Sequence, residues 1–69
     1  MTLVNTTTRN AFYNIRRNKN RVIAVFGRLN TPGQVKVWEF ADARSAQVHL
    51  EEKIEQKMNR DYVEFVPVH

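Results

Sequence analysis

Basic and aromatic side chains are the residues of this 69-residue sequence with the clearest chemical potential. Residues 1–38 hold seven basic residues and no acidic one, whereas four basic and seven acidic residues occupy the rest. The seven are Arg9, Arg16, Arg17, Lys19, Arg21, Arg28 and Lys36. A field of one sign over half a domain attracts polyanions, although a basic surface without any partner has the same composition. Phe12, Phe26 and Trp38 are interleaved with these cations, and this mixture suits nucleic acid, where cations bind phosphates and rings stack on sugars or bases.

Catalytic and metal-binding chemistry find little support in the sequence. It has no cysteine, which excludes thiol nucleophiles, thiolate zinc sites and disulfides. The two histidines, His49 and His69, lack the spacing of a helical metal pair, and Ser45 is better placed to help cap a helix than to attack a substrate. The sequence therefore predicts a noncatalytic protein with no metal and no cofactor.

Length and composition indicate one small folded domain spanning residues 1–69. Hydrophobic residues make up 42% of the chain and charged residues 26%, which is typical of a folded protein rather than a disordered one. The first ten residues do not resemble a secretory signal, and the longest apolar run, residues 22–26, is far shorter than the ~20 residues that span a bilayer. We expect a cytoplasmic protein, nucleoid-associated if bacterial, without a membrane partner.

The elements that would position the basic and aromatic residues begin with a β-hairpin. Residues 12–17 and 21–28 are β-rich and flank the polar segment 18–20, which is typical of a hairpin connection. Residues 31–34 fit a type II turn, because proline presets φ at its second position and glycine tolerates a positive φ at its third. A third strand is predicted over residues 34–40.

A helix is predicted over residues 43–59, with Asp42 as its N-cap. One stripe at helical spacing consists of Ala43, Ala46, Gln47, Leu50, Ile54 and Met58, and Glu51, Glu52 and Glu55 point away from it. Residues 62–66 are β-rich and end at Pro67, so they are predicted to close the sheet as an edge strand. Residues 3–7 form either another edge strand or a loose terminus. The predicted fold class is α+β: a small antiparallel sheet of four to five strands with one amphipathic helix on one face.

Strand alternation divides the side chains between two faces of the sheet. The core face, matching the helix stripe, is predicted to hold Tyr13, Ile15, Ile23, Val25, Val35 and Val37. The exposed aromatic and basic face is predicted to hold Phe12, Asn14, Arg16, Val22, Ala24, Phe26, Arg28, Gln34, Lys36 and Trp38. The alternative is that Phe12, Phe26 and Trp38 form a second core under the terminal strands, since aromatic residues on a sheet are often buried.

The order of these features resembles the WGR domain family. The resemblance covers residues 10–65 and rests on Asn10-Ala11-Phe12-Tyr13, the basic hairpin, Val25-Phe26-Gly27-Arg28, Pro32-Gly33-Gln34, Phe40, the amphipathic helix and Tyr62-Val63-Glu64. The Trp-Gly-Arg triplet that names the family reads Phe26-Gly27-Arg28 here. WGR domains occur in DNA-break-activated poly(ADP-ribose) polymerases and in short standalone bacterial proteins. The resemblance implies a small antiparallel sheet with a helix across one face.

The resemblance also implies roles for the triplet. In the polymerases the tryptophan packs against the sugar at a DNA end and the arginine mediates interdomain contacts near the DNA, so Phe26 and Arg28 would take those places. Phenylalanine keeps the flat apolar surface but lacks the indole N–H. Gly27 has two interpretations of its own, a strand bulge or a close approach of a ligand to the backbone.

Together these observations predict a noncatalytic nucleic-acid-binding module and favour duplex DNA or DNA ends over RNA as its ligand. The predicted binding residues are Arg16, Arg17, Lys19, Arg21, Phe26, Gly27, Arg28, Lys36 and Trp38. The alternative is a protein-interaction module in which the same aromatic and basic face binds another protein or a second copy of the chain.

Overall fold

The computed structural model of the protein describes residues 1–66, which form one five-stranded antiparallel sheet and one helix. In chain order the elements are β1 (Thr2–Asn5), β2 (Ala11–Asn18), β3 (Arg21–Arg28), β4 (Gln34–Glu39), α1 (Ala43–Met58) and β5 (Val63–Glu64). Across the sheet the order is β4-β3-β2-β1-β5. The predicted α+β class is confirmed. Pro67 and His69 lie outside the described residues.

The first strand occupies the interior of the sheet. β1 pairs with β2 on one side and with β5 on the other. The terminal ammonium group of Met1 donates a hydrogen bond to the Ile15 carbonyl at 2.9 Å, and the Phe65 backbone N–H donates to the Thr2 carbonyl at 2.8 Å. The N-terminal segment is therefore neither an edge strand nor a loose terminus. β5 is the edge strand that the sequence predicts, shortened to two residues.

The hairpin between β2 and β3 has a shorter loop than predicted. Asn18 pairs with Arg21, so the connection is the two residues Lys19 and Asn20 instead of the three residues 18–20. Lys19 takes a φ of +58°, a left-handed conformation that a lysine does not signal in a sequence. A loop that is one residue shorter shifts the pairing of β2 with β3 by one residue. The side chains of β3 that were predicted on one face of the sheet then lie on the other face.

This register corrects the predicted faces. Tyr13 lies opposite Phe26 and Ile15 opposite Ala24, so Val22, Ala24, Phe26, Lys36 and Trp38 share the helix-covered face with Tyr13 and Ile15. Ile23, Val25, Val35 and Val37, predicted as core, face away from the helix instead. Val35 and Val37 are 68% and 54% exposed. Phe12, Asn14 and Arg16 remain on the face opposite the helix.

The core lies between the sheet and α1. Its buried apolar members are Leu3, Tyr13, Ile15, Val22, Ala24, Ala46 and Tyr62, with Phe26, Trp38, Phe40, Leu50 and Ile54 packed around them. Phe26 and Trp38 thus contribute to packing, as the second-core alternative anticipates, but beneath the helix rather than beneath the terminal strands. Phe12 is separated from them by the sheet.

The helix begins as predicted and ends one residue earlier, at Met58. The Asp42 carboxylate accepts a hydrogen bond from the Ser45 backbone N–H at 2.7 Å, and this bond lowers the pKa of Asp42. Ala46 is buried, while Glu51, Glu52 and Glu55 are exposed on the opposite side. Within residues 1–66, no helix is long and apolar enough to cross a membrane.

Candidate functional site

A groove of about 290 Å³ runs between the second half of α1 and strands β2 to β4. The residues that define this groove are Tyr13, Phe26, Lys36, Trp38, Lys53, Gln56, Lys57 and Arg60. Three of these side chains are aromatic, four are basic, and none is acidic. The groove therefore combines ring surface with positive charge, a composition suited to an anionic ligand that also has flat or apolar parts.

The aromatic wall is fixed by strand pairing. Tyr13 and Phe26 are cross-strand partners on β2 and β3, and their rings stack with centroids 5.7 Å apart. Trp38 lies opposite Val22, farther along the same face. Phe26 and Trp38 are half-buried, so packing against the core holds their rings in place while part of each remains accessible.

The basic groups stand over these rings. The Lys36 and Lys53 ammonium groups lie 5.1 and 5.6 Å from the centroid of the Trp38 ring. The Lys57 ammonium group lies 4.7 Å from the Tyr13 centroid and 5.3 Å from that of Tyr62. These distances fit cation–π attraction, which holds the ammonium groups near the groove.

Lys57 is the cation most affected by its neighbours. Burial lowers the pKa of its ammonium group, and the positive charges of Arg60, Lys53 and Arg9 lower it further. An anion bound among these groups would offset both effects. The like charges around Lys57 thus destabilise the unbound protein, and a bound polyanion would reduce their repulsion.

A second, larger depression of about 630 Å³ continues the groove toward the end of β3. It shares Tyr13, Phe26 and Lys57 with the groove and adds Thr8, Arg9, Ala11, Phe12, Gly27, Arg28 and Tyr62, which we call the shoulder. Arg9 and Arg28 extend the positive surface past the triplet. The groove and the shoulder together carry six basic side chains along one continuous surface.

A buried asparagine organises the loop that presents Arg9. Asn5 is fully buried, and its Oδ1 accepts hydrogen bonds from the backbone N–H groups of Thr7, Thr8 and Arg9 at 3.2, 3.1 and 3.4 Å. Its Nδ2 donates to the Arg60 carbonyl at 3.1 Å. One side chain therefore ties the Arg9 loop to Arg60, just beyond the end of the helix that carries Lys57.

Five of the sequence-predicted residues come together at this surface. Phe26, Lys36 and Trp38 line the groove, and Gly27 and the exposed Arg28 lie on the shoulder. They meet because β3 and β4 place alternate residues on the helix-covered face.

The predicted cations of the hairpin tip lie elsewhere. Arg21 and Arg28 stand at opposite ends of β3, about 23 Å apart at about 3.3 Å of rise per residue. Arg21 pairs with the Glu39 carboxylate at 2.9 Å. Arg17 donates from Nε to Gln47 at 3.0 Å and from Nη1 to the Lys19 carbonyl at 2.8 Å. Arg16 is exposed on the face opposite the helix. The hairpin tip is thus a basic region separate from the groove.

Gly27 does not form the predicted bulge, because the register runs through it opposite Phe12 without an extra residue. A Cβ on Gly27 would lie 2.9 Å from the Gly33 Cα. Gly33 itself has the predicted positive φ, +78°, and a Cβ there would lie 2.7 Å from both the Phe12 Cζ and the Phe26 carbonyl oxygen. Because Gly27 has no side chain, the turn formed by residues 31–34 can pack against it, on the side of the sheet away from the groove.

The groove includes three basic residues that the sequence pattern did not assign to a site. Lys53 and Lys57 belong to a helix for which the sequence predicts an acidic outer surface, and Arg60 follows the end of that helix. Lys53 and Lys57 are four residues apart along one edge of the apolar stripe. That spacing places them on a single side of the helix and could have identified them.

His49 packs against Trp38, one of the aromatic residues that line the groove. Its ring lies 4.8 Å from that of Trp38 and 5.0 Å from that of Phe40, and its buried Nε2 has no hydrogen-bond partner within residues 1–66. Burial lowers the pKa of His49. The positive charges of Lys53 and Lys36 lower this pKa further, whereas the negative charge of Glu52 raises it. No cluster of three metal-ligating side chains occurs in the described part of the chain.

Comparison with known proteins supports the same fold and family. The WGR domain model matches residues 1–67 of the chain. Among solved structures, the chain is similar to a crystal structure of a protein from Bacteroides fragilis, with a TM-score of 0.88 and 29% identity. That alignment covers 94% of this chain and 19% of the Bacteroides chain, so this chain spans about a fifth of the length of that protein. No curated protein matches the chain significantly.

Proposed function

The chain belongs to the WGR domain family, and from this membership and the groove we propose that it is a noncatalytic module that binds duplex DNA, with the groove and shoulder as its binding surface. WGR domains are small binding modules, and the family is consistent with nucleic-acid binding. The observation that carries the proposal is the lining of the groove, in which basic groups stand over aromatic rings and no acidic group is present.

The chemistry of the groove assigns a part of the DNA to each kind of side chain. Lys36, Lys53, Lys57 and Arg60 are the groups that would neutralise phosphates. Phe26 offers an apolar ring between them, and a sugar or base exposed at a duplex end can pack on such a ring. Ends are therefore preferred over continuous duplex, in which sugars and bases are less accessible.

Base specificity is expected to be weak. The outward surface of α1 carries Glu51, Glu52 and Glu55, which an approaching major groove would repel. The helix contributes lysines from its edge rather than presenting a recognition face. Affinity would then depend mainly on phosphate contacts and on shape.

Salt titration tests the phosphate contacts. If the four groove cations each neutralise one phosphate, the slope of log K against log salt is about −3.6, and affinity falls roughly a hundredfold between about 50 and 200 mM salt. Fluorescence anisotropy with a labelled blunt duplex measures this slope, and the matching RNA duplex and single strand establish which nucleic acid is preferred. A flat salt response would contradict the proposal.

A matched pair of double variants locates the surface. Lys53→Gln with Lys57→Gln removes two charges from the groove, and Arg16→Gln with Lys19→Gln removes two charges from the hairpin end of the strands. We expect the groove variant to make the salt slope about 1.8 less steep and the hairpin variant to leave it nearly unchanged. If the hairpin variant loses as much as the groove variant, net charge rather than the groove accounts for binding.

A further inference from the structure

Lys57 is the lysine that joins the groove to the shoulder. Of the four lysines of the chain, it alone lines both depressions. Its ammonium group lies 4.7 Å from the centroid of the Tyr13 ring and 5.3 Å from that of Tyr62, and the Tyr13 ring stacks on Phe26. The half-buried amine of Lys57 is therefore held beside the ring surface on which a sugar would pack.

We propose that Lys57 is a nucleophile that captures an aldehyde in DNA, the open-chain sugar of an abasic site, an inference that rests on the proposed DNA binding. The sugar of an abasic site has lost its base, so it exposes an aldehyde carbon when its ring opens. Without the base, this sugar is small enough to enter a groove of about 290 Å³. Packing on the Phe26 ring would hold it close to the Lys57 amine.

The surroundings of Lys57 favour the uncharged amine, which is its nucleophilic form. Burial lowers the pKa of the ammonium group, and the positive charges of Arg60, Lys53 and Arg9 lower it further. Phosphates bound by these neighbours would offset the charge effect. Burial is the larger cause, and it remains and increases when DNA covers the groove.

No negative charge in the groove holds Lys57 in its protonated form. Tyr13 faces it from β2, and burial together with Tyr62 raises the pKa of Tyr13, so this phenol stays neutral near pH 8. No carboxylate lines the groove or the shoulder. Desolvation and neighbouring cations are the means by which proteins activate a lysine to form a Schiff base with a carbonyl compound.

The capture step balances without an added reactant. The lone pair of the Lys57 Nζ forms a bond to the aldehyde carbon, the carbonyl electron pair moves to oxygen, and a proton passes from nitrogen to oxygen. The resulting hydroxyl group takes a proton from solvent and leaves as water, which gives an iminium bond that hydrolysis can reverse. Because no carboxylate lines the groove to remove a proton from the adjacent carbon, we expect capture rather than strand cleavage.

Reductive trapping tests the inference. Sodium cyanoborohydride reduces the iminium bond to a stable amine, so a labelled duplex with an abasic site beside its blunt end becomes joined to the protein on a denaturing gel. Lys57→Arg keeps the positive charge without the nucleophile, and Lys19→Arg makes the same change at the hairpin tip. At saturating protein, the initial rate of adduct formation should fall at least about tenfold in Lys57→Arg and match the parent in Lys19→Arg.

A second duplex separates binding from capture. It carries a tetrahydrofuran analogue in place of the abasic sugar and therefore has no aldehyde. If anisotropy shows that the parent does not bind this duplex, the proposed function fails and capture fails with it. If the duplex binds but the abasic duplex gives no adduct, or if mass spectrometry of the parent adduct locates it at the Met1 amine or at another lysine, capture by Lys57 alone is overturned.

A small aldehyde tests the amine in the absence of DNA. With limiting formaldehyde and cyanoborohydride, Lys57 should be methylated before Lys19, Lys36 and Lys53. Its advantage should shrink as pH rises toward the ordinary lysine value of about 10.5, where all four amines lose their protons. Equal methylation of the four lysines at pH 7.5 would overturn the inference, and this measurement needs no variant to fold.

Discussion

At the scale of single residues, Phe26 contributes both to packing and to the groove. Its ring stacks on Tyr13 and is half-buried, so truncation to alanine would change the fold and the surface together. Phe26→Leu keeps an apolar group of similar volume and removes only the ring, at an expected stability cost below about 1.5 kcal/mol. If the ring packs on DNA, this variant weakens binding to a blunt duplex by about 1 to 3 kcal/mol, and Phe26→Trp retains it.

Anisotropy titrations and thermal melts on these two variants separate the roles of Phe26. Arg28→Ala serves as a companion, because Arg28 is exposed and its loss should weaken binding with little effect on melting. Should Phe26→Leu bind as the parent does, the ring would have a packing role only.

Lys57 is expected to lower the stability of the free protein and to strengthen DNA binding. Burial and the neighbouring cations lower its pKa in the folded state, so the unfolded chain holds this proton more tightly. The parent should consequently gain stability as pH rises through the folded-state pKa toward the ordinary lysine value of about 10.5, and Lys57→Gln should lack this part of the gain. At pH 7 the same variant should be at least as stable as the parent in urea titrations.

Lys57→Gln is expected to bind DNA more weakly than the parent, although its stability at pH 7 is not reduced. Loss of one phosphate contact makes the salt slope about 0.9 less steep. A variant that loses stability at pH 7 and keeps its salt slope would mean that Lys57 is held by the Tyr13 and Tyr62 rings for the sake of the fold.

At the scale of elements, the contact between α1 and β4 should make stability depend on pH. His49 packs against Trp38 with a pKa lowered by burial, Lys53 and Lys36, while Glu52 acts the other way. The unfolded chain therefore binds a proton more readily than the folded one below about pH 6.5, and stability falls as pH decreases through that value toward the folded-state pKa. Urea unfolding at pH 7.5 and 5.5 measures the fall.

His49→Gln is the control for this pH effect, because glutamine is uncharged at both pH values. The variant should lose less stability than the parent between pH 7.5 and 5.5. An equal loss in both proteins would assign the effect to other groups.

Local sequence patterns determine most of the elements but not their register. The helix boundaries, its cap at Asp42 and the turn at Gly33 follow from side chains whose preferences are strong and local. The hairpin loop depends on a positive φ at Lys19, which has no sequence signal, and one residue of error there exchanges the faces of β3 and β4. The sequence analysis selects Phe26, Lys36 and Trp38, which the structure brings together in one groove, but it does not predict their position beneath the helix edge.

The same limit explains the part of the site that the sequence does not predict. A groove between two elements depends on which faces meet, and that is a property of packing rather than of either segment alone. Once Phe26 and Trp38 are placed on the helix-covered face, Lys53 and Lys57 become their neighbours, and the helix contributes cations to the same surface as the sheet.

At the scale of the whole molecule, the sheet separates two surfaces of different chemistry. The helix side carries the groove, with its rings and cations, and the other side carries the exposed Val35 and Val37 together with Arg16. Because successive side chains of a strand point to opposite faces, substitutions of Val35 or Val37 should leave the groove on the helix side intact.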